Sequence, residues 1–407
     1  MNSEAAKMIE ARQEEVQRLG GLAAYRLQAL QNLKLKTVIK ESHASPVHAL
    51  AVNHTDTSMG NLFATVGKDQ ATVYDGEHMG DHVAVVVHFT NAPSEHAPGG
   101  ELQAAAWLSA AGWSEHPAVI SVVEARVVRL LRGHAREVVE LAAVPAAPRL
   151  LLSLSRDGNL RLWDVPSETC LSSLQTDASC VAMAPDAASV VMGNSKGRLQ
   201  QFDIVAAAAG SEAANTGGQQ PIIDEGSRQE LRCQGSCHSD TIDCMRFLPG
   251  GRLATKSCDG RMFVWRLSTG SSSSDPSSGS GQSSVPQLEV AATWKVPNCN
   301  GGSGWQSRCQ FGSTADGRYI TAGNSKGDCY VFDSESGDRV AHVSSIRVLA
   351  PVRACGLSDD CRHLLAVLGK GFIFRFEYLG PLAPQHDASV GGSHEQEGKE
   401  NTNTEQQ

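Results

Sequence analysis

Short β-prone segments recur along most of the 407 residues and predict an all-β fold, a seven-bladed β-propeller with an N-terminal helical arm and a disordered, acidic C-terminal tail. Three observations support this prediction. One stretch has the four-strand pattern of a propeller blade, weaker copies flank it, and the apolar spacing changes from helical to strand-like by about residue 45. We divide the chain into a helical segment (1–37), a propeller (38–380) and a tail (381–407).

Composition and charge exclude several classes of protein. Hydrophobic residues make up 41% of the chain, which is enough to build a core. The net charge of −9 argues against electrostatic capture of nucleic acid, so we expect no direct nucleic-acid binding. No apolar run reaches the 18 or so residues of a membrane span, and we expect neither a membrane partner nor a secretory signal. Eleven scattered cysteines predict free thiols in the cytoplasm or nucleus.

The N-terminal segment is predicted to be helical over about residues 4–35, with a break at Gly20-Gly21. Its apolar face either packs on the propeller or binds a partner helix. The strand-like stretch 33–42 is predicted to complete the last blade, which would remove an exposed sheet edge. The apolar residues that recur at three- and four-residue spacing are Met8, Val16, Leu19, Leu22, Ala23, Leu27, Leu30 and Leu33.

The strongest repeat occupies residues 133–174. It begins with Gly133-His134 and reaches Trp163-Asp164 about thirty residues later, which is the signature of a WD (WD40) repeat. Asp157-Gly158 predicts a tight turn between two of its strands. In such blades a histidine, a strand serine, the turn aspartate and the tryptophan form a buried hydrogen-bond network. We expect this network to consist of His134, Ser155, Asp157 and Trp163.

Weaker copies of the pattern bring the predicted number of blades to seven. Three of them carry an aromatic residue before an aspartate where the strongest repeat has Trp-Asp. At about 40–45 residues each, seven blades fill the chain from 45 to 380. The six weaker repeats are predicted at 45–77, 80–132, 179–204, 238–267, 305–337 and 351–379.

Some segments interrupt this pattern. Residues 205–237 and the Ser/Gly/Pro-rich residues 268–286 are predicted to be mobile loops, because they bury too little apolar surface to offset their ordering entropy. The second repeat, 80–132, is short by about ten to fifteen residues near residue 117, measured against a full blade. Either the blade is truncated or the sequence reflects an incomplete gene model or splice form, and we favour the latter.

The sequence contains no recognisable catalytic set, so we expect no enzyme activity, no cofactor and no metal. The phosphate-binding GxxxxGK[ST] loop and the H-E-x-x-H zinc motif are absent from the sequence, and we interpret the glycine turns between β-prone segments as hairpin turns. Cys233-x3-Cys237-His238 comes closest to a zinc spacing, but no second ligand pair follows it, and we interpret these as ordinary loop thiols. A propeller instead offers rigid faces for binding proteins, although the fold alone does not name the partner.

Two segments within residues 240–265, DTIDCMRFL and LATKSCDGRMFVW, contain pieces that are more specific than the general WD pattern, IDCMRF and LATKSC. Further segments of interest are SPVHALAVN (45–53), LFATVGKDQATVYD (62–75), AAAWL (104–108), EHP (115–117), LLLSLSRDGNLRLWDV (150–165) and AGNSKGDCYVFD (322–333). Together they resemble the Polycomb extra sex combs family, called the embryonic ectoderm development protein in animals and the fertilization-independent endosperm protein in plants. The resemblance is colinear over roughly residues 38–378.

The resemblance implies a non-catalytic scaffold in a nuclear histone H3 lysine methyltransferase complex that regulates transcription. One propeller face would bind a helix of the catalytic subunit, and the other would read a trimethylated lysine of the histone H3 tail with an aromatic cage. By position, the cage aromatics fall on His48, on Gln103, and either near Trp305 or on Ser307-Arg308. Since at most one aromatic remains, we expect the scaffold role without conventional trimethyl-lysine reading.

Other interpretations come from other classes of protein. The leucine-rich-repeat and WD-repeat protein associated with the origin recognition complex has a related propeller, but this sequence has no leucine-rich repeats ahead of its propeller. A ubiquitin-ligase adaptor usually shows W-D-x-R at a blade end, which the segments 163–166 and 265–268 lack. A general WD40 scaffold in the cytoplasm stays open, because the sequence has no strong nuclear-import cluster. The partner alone separates these alternatives.

Overall fold

The computed structural model shows two helices followed by a β-propeller. The tail from 381 and most of the predicted Ser/Gly/Pro loop lie outside the residues that the structure describes. The described residues are 3–40, 46–55, 59–77, 82–91, 101–108, 120–121, 126–127, 130–143, 146–206, 220–233, 237–268, 287–299, 308–344, 350–369 and 371–380.

Two helices form the N-terminal arm, α1 (Ser3–Arg18) and α2 (Leu22–Gln31). Gly20 and Gly21 separate them with φ of 84° and 126°, a backbone region that favours glycine. The predicted helix break at this glycine pair is therefore confirmed. The arm is shorter than predicted, because strand β1 (Lys34–Lys40) begins inside the segment that we expected to be helical.

Blades A and B are four-stranded antiparallel sheets whose strands follow chain order. Blade A consists of β2 (Ala49–Val52), β3 (Leu62–Gly67), β4 (Gln70–Asp75) and β5 (Ala84–Thr90). A two-stranded sheet of β6 (Ile120–Ser121) and β7 (Arg126–Val127) follows. Blade B consists of β8 (Val138–Ala142), β9 (Leu150–Ser155), β10 (Asn159–Asp164) and β11 (Thr169–Gln175), and so contains the strongest predicted repeat.

Blade C also has four strands in chain order, whereas blade D has a fifth. Blade C consists of β12 (Ala178–Met183), β13 (Ser189–Asn194), β14 (Leu199–Ala206) and β15 (Pro221–Glu230). Blade D consists of β16 (Arg232–Cys233), β17 (Ile242–Leu248), β18 (Arg252–Ser257), β19 (Arg261–Ser268) and β20 (Gln287–Lys295). The extra strand β16 pairs in parallel with the outermost strand β20.

Blades E and F complete the described part of the propeller. Blade E consists of β21 (Gly312–Ser313), β22 (Tyr319–Gly323), β23 (Cys329–Asp333) and β24 (Arg339–Val343). Blade F consists of β25 (Val352–Leu357), β26 (His363–Leu368), β27 (Phe372–Glu377) and β1. β1 pairs with β27 from Lys34 opposite Glu377 to Lys40 opposite Phe372. The predicted closure of the last blade by an N-terminal strand is therefore confirmed.

The innermost strands of blades A to F are β2, β8, β12, β17, β21 and β25. β12 contacts β8 and β17, and β25 contacts β2 and β21. Apolar clusters fill the spaces between blades, and the largest lies between blades E and F around Leu364, Phe374 and Val331. Leu30 of α2 belongs to the same cluster, so the arm packs on the propeller of its own chain.

Polar contacts also hold the arm in place. Arg12 Nη2 lies 2.7 Å from Asp360 Oδ2 of blade F. The Tyr378 hydroxyl donates to Glu15 Oε1 at 2.7 Å and accepts from Gln28 Nε2 at 2.8 Å. Both helices are therefore tied to the end of the propeller where the last blade terminates.

The described residues form six blades, so the prediction of seven is wrong for this part of the chain. Strand β5, which we assigned to the second repeat, is the outermost strand of blade A. Only the short β6–β7 sheet is described in the rest of that repeat. The physical reason is length, because the roughly 30 residues from 101 to 132 are too few for a four-stranded blade.

The segment 205–237 is also structured differently from our prediction. Its second half forms β15 and β16, so the expectation of a loop there is wrong. β15 is the outermost strand of blade C, and only Ile223 among its ten residues is buried. A strand exposed on both faces needs few apolar residues, so its sequence lacks the alternation by which buried strands are recognised.

Candidate functional site

A buried hydrogen-bond network links the strands of blade B. His134 Nδ1 lies 2.9 Å from Asp157 Oδ2, and His134 Nε2 lies 2.7 Å from Ser153 Oγ. The indole N–H of Trp163 donates to the same serine oxygen at 2.8 Å. The structure thus brings His134, Asp157 and Trp163 together, but the shared oxygen belongs to Ser153. The prediction that Ser155 fills this place is wrong.

Ser155 shapes the neighbouring turn instead. Its hydroxyl donates to the carbonyl of Arg136 at 3.1 Å and accepts the amide N–H of Asp157 at 3.1 Å. Ser153 and Ser155 point to the same face of β9, since side chains in a strand alternate with a period of two. The sequence pattern therefore allows either serine, and the register against β10 selects Ser153.

Electrostatics fix the proton positions in this network. Burial alone would raise the pKa of Asp157, but the N–H of Ala135 and the ring of His134 stabilise its carboxylate, and its pKa falls well below the usual range. The ionised carboxylate favours a proton on His134 Nδ1, so Nε2 accepts from Ser153. The serine oxygen then accepts from Trp163, and the ring nitrogens, the hydroxyl and the indole N–H all have partners within the blade.

Blade D contains a related network, in which a threonine takes the place of the serine and His238 Nδ1 has no hydrogen-bond partner among the described residues. His238 Nε2 lies 2.7 Å from Thr255 Oγ1, and the indole N–H of Trp265 donates to that oxygen at 2.8 Å. Burial lowers the pKa of His238 to about 4. We did not predict this network from the sequence. A usable signal exists, because Thr255 precedes Trp265 by ten residues, as Ser153 precedes Trp163.

Two of the residues assigned by position to an aromatic cage meet beside the first strand of blade A. His48 Nε2 lies 3.9 Å from Glu101 Oε2, and Gln103 Nε2 donates to the same oxygen at 2.9 Å. The Glu101 side chain is 61% exposed. Trp305 lies outside the residues that the structure describes. Among the described residues, the contacts here join an imidazole, an amide and a carboxylate.

Arg308, the other residue considered for the cage of the sixth repeat, extends from blade E across the axis to three other blades. Its Nε donates to the carbonyl of Asp243 in blade D at 2.7 Å. Its Nη2 donates to the carbonyl of Ser179 in blade C at 3.2 Å, and its Nη1 to that of Val139 in blade B at 3.1 Å. Nη2 also donates to Glu140 Oε2 in blade B. A cation of the chain itself thus occupies this part of the axis.

A buried ion pair in blade D adjoins Arg308. Lys256 Nζ donates to Asp243 Oδ2 at 2.7 Å, and the two side chains are 1% and 2% exposed. The same carboxylate oxygen accepts the N–H of Cys309 at 3.2 Å. Burial would lower the pKa of Lys256, but the Asp243 carboxylate raises it above its usual value. The pair lies within the specific segments IDCMRF and LATKSC, although the sequence alone did not reveal the contact.

The described part of the chain shows no assembled metal site. Within it, no three His, Cys, Asp or Glu side chains are placed to hold a metal ion. The eleven cysteines are free thiols, and those at 233 and 237 are half-buried and exposed. No helix in the described ranges is long and apolar enough to cross a membrane.

Comparison with known proteins identifies relatives of this propeller. Residues 125–164, which cover the first three strands of blade B, match the family described as WD domain, G-beta repeat. Polycomb group protein FIE2 of Zea mays is 23% identical over 364 residues, which cover 82% of this chain and 88% of that protein. Polycomb protein esc of Drosophila melanogaster is 24% identical over 373 residues, 84% of each chain. The homologues of this chain are Polycomb group WD-repeat proteins.

The Polycomb resemblance inferred from the sequence is therefore confirmed. A second relative from Zea mays, Polycomb group protein FIE1, is 24% identical over 292 residues and covers 68% of this chain. The longer Polycomb matches extend over more than four fifths of the chain, so they reach well beyond the single WD match at 125–164.

Proposed function

We propose that this chain is a non-catalytic scaffold subunit of a Polycomb-type histone H3 lysine methyltransferase complex in the nucleus. The observation that carries the proposal is the match to Polycomb group proteins over 82–84% of the chain. A propeller whose terminal strands are paired supports a binding role, because it presents rigid surfaces to protein partners.

The His134 network deserves comparison with a catalytic triad, because it contains a serine, a histidine and an aspartate at hydrogen-bond distances. Ser153 is only 4% exposed, so a substrate has no access to its oxygen. The serine oxygen also accepts the Trp163 indole N–H, which holds it inside the blade. This geometry supports a structural role and argues against a hydrolase.

The residues at the cage positions argue against trimethyl-lysine reading. A quaternary ammonium has no N–H donors and is attracted mainly by aromatic ring faces. His48 and Gln103 provide polar groups around the Glu101 carboxylate instead. We propose that this chain binds the methyltransferase subunit without preferring a trimethylated histone tail.

Affinity purification of the tagged full chain from nuclear extract, followed by mass spectrometry, tests the scaffold proposal. Recovery of a SET-domain methyltransferase with its zinc-finger partner, and not with the tag alone, is the expected result. Recovery of origin-recognition subunits would favour the origin-associated alternative. Recovery of cytoplasmic proteins or of ubiquitin-ligase subunits alone would refute the Polycomb proposal.

Fluorescence anisotropy with histone H3 peptides tests the cage proposal. We expect trimethylated and unmethylated peptides to bind within about twofold of each other, because cation–π attraction contributes about 0.5–2 kcal/mol only where rings are present. The matched control is the double variant His48→Phe/Gln103→Tyr, which restores two rings. A tenfold preference of the unaltered chain for the trimethylated peptide would contradict the proposal.

A further inference from the structure

The innermost strands of blades B, C and D (β8, β12 and β17) share an irregularity at their second residue. In each strand the pairing register skips one residue, Val139 in β8, Ser179 in β12 and Asp243 in β17. A residue skipped in this way leaves its backbone groups outside the ladder of its own sheet. Three carbonyl groups in equivalent positions are therefore available at the axis.

These three carbonyls are the ones that hold Arg308. Each carbonyl accepts from a different guanidinium nitrogen. Asp243 accepts from Nε at 2.7 Å, Val139 from Nη1 at 3.1 Å and Ser179 from Nη2 at 3.2 Å. The fourth acceptor is the carboxylate of Glu140, the residue after the irregularity in β8. The Arg308 and Glu140 side chains are 12% and 11% exposed, so the contacts are largely shielded from water.

The geometry of the acceptors suits a guanidinium. A guanidinium is planar and presents five N–H groups in a fixed fork, so it can reach acceptors from three blades at once. A lysine ammonium is a point charge, and a quaternary ammonium has no N–H to donate. Burial would lower the pKa of Arg308, but the Glu140 carboxylate raises it above its usual value, so the guanidinium stays charged. Burial raises the pKa of Glu140, and the Arg308 guanidinium beside it opposes that shift.

We propose that the propeller axis is a guanidinium-binding site, built from the carbonyls of Val139, Ser179 and Asp243 and the carboxylate of Glu140, which the chain fills with its own Arg308. Removal of the Arg308 side chain opens the site to an external alkylguanidinium, such as the side chain of a peptide arginine. This proposal concerns the axis alone and does not depend on which complex the protein joins.

The test is chemical rescue of the full chain carrying Arg308→Ala, with methylguanidinium as the probe. The thermal midpoint Tm is measured at rising methylguanidinium concentration for the variant and for the unaltered chain. Methylguanidinium is itself a mild denaturant, so we expect Tm of the unaltered chain to fall steadily. We expect Tm of the variant to rise first and then saturate, whereas tetramethylammonium at the same concentration gives no such rise.

A second variant separates binding at the axis from a general salt effect. In Arg308→Ala/Glu140→Gln the charge-assisted bond is lost, and we expect methylguanidinium to bind about tenfold more weakly than to Arg308→Ala. If Arg308→Ala does not fold alone, its refolding yield with and without the probe is the readout. Equal responses of the variant and the unaltered chain, or equal rescue by tetramethylammonium, would overturn the proposal.

Discussion

Replacement of Lys256 by methionine is expected to destabilise the propeller strongly. The substitution keeps the length of the side chain but removes the ammonium that donates to Asp243 Oδ2 at 2.7 Å. The Asp243 side chain is 2% exposed, so water cannot replace the lost partner. The carboxylate would keep the N–H of Cys309, at 3.2 Å, as its remaining hydrogen bond.

The size of the effect follows from the burial of the pair. Removal of one partner of a buried ion pair costs about 3–5 kcal/mol, because the other charge remains uncompensated. The N–H of Cys309 and the nearby guanidinium of Arg308 reduce that cost, so we expect about 3–4 kcal/mol for Lys256→Met. At about 2–4 °C per kcal/mol for a large domain, Tm should fall by roughly 10 °C.

Equilibrium urea unfolding measures this free energy, and an unchanged m-value checks that the extent of unfolding is the same. The matched control is Lys196→Met in an exposed turn of blade C, which should change stability by less than about 0.5 kcal/mol. The double variant Lys256→Met/Asp243→Leu should lose less than the two single variants together, because no charge is left unpaired. A loss of under about 1 kcal/mol in Lys256→Met would refute the reasoning.

Three further predictions concern the network, pH and ring closure. Ser153→Ala should lower the free energy of unfolding by about 2 kcal/mol, because it leaves the buried Trp163 indole N–H without its acceptor, whereas Ser155→Ala should lower it by about 1 kcal/mol. Urea unfolding compares the two variants, and equal losses would contradict the assignment of Ser153. Burial lowers the pKa of His238 to about 4, so its contribution to the free energy of unfolding is complete above pH 6.5 and falls by about 3 kcal/mol as the pH drops from 6.5 to 4. His238→Gln should flatten the dependence of stability on pH in that window, and an unchanged slope would refute this. A truncated chain that begins at residue 34 keeps β1 paired with β27 and should fold, whereas one that begins at residue 41 exposes the edge of β27 and should aggregate. Equal solubility and equal Tm of the two truncated chains would exclude a closing role for β1.

Local features of the fold could be predicted from the sequence because their causes are local. Gly20-Gly21 breaks the helix since both residues adopt positive φ, and Asp157-Gly158 makes a turn in which Gly158 has φ of 82°. The strand repeat of blade B follows from its own composition. Even the closure of blade F was predictable, because a strand-like segment was left over near the N-terminus and the last blade needed a partner.

Exposed strands were harder to predict from the sequence. β15 lies at the outer edge of its blade, where nearly all its residues meet water, so its composition resembles that of a loop. The blade count failed for a related reason. β5 has the apolar character of an inner strand, with Val85 56% exposed on the propeller surface, so pattern alone placed it in the next repeat.

In the candidate site, too, contacts within one repeat were predictable from the sequence and contacts between blades were not. The network of a histidine, an aspartate and a tryptophan could be predicted from one repeat, because the blade fixes their spacing within about thirty residues. The choice of Ser153 rather than Ser155, and the contact of Arg308 with Val139, 169 positions away, became visible only in the folded chain. Strand periodicity leaves two serines on one face, and contacts across an axis depend on how blades are arranged around it, which no local pattern encodes.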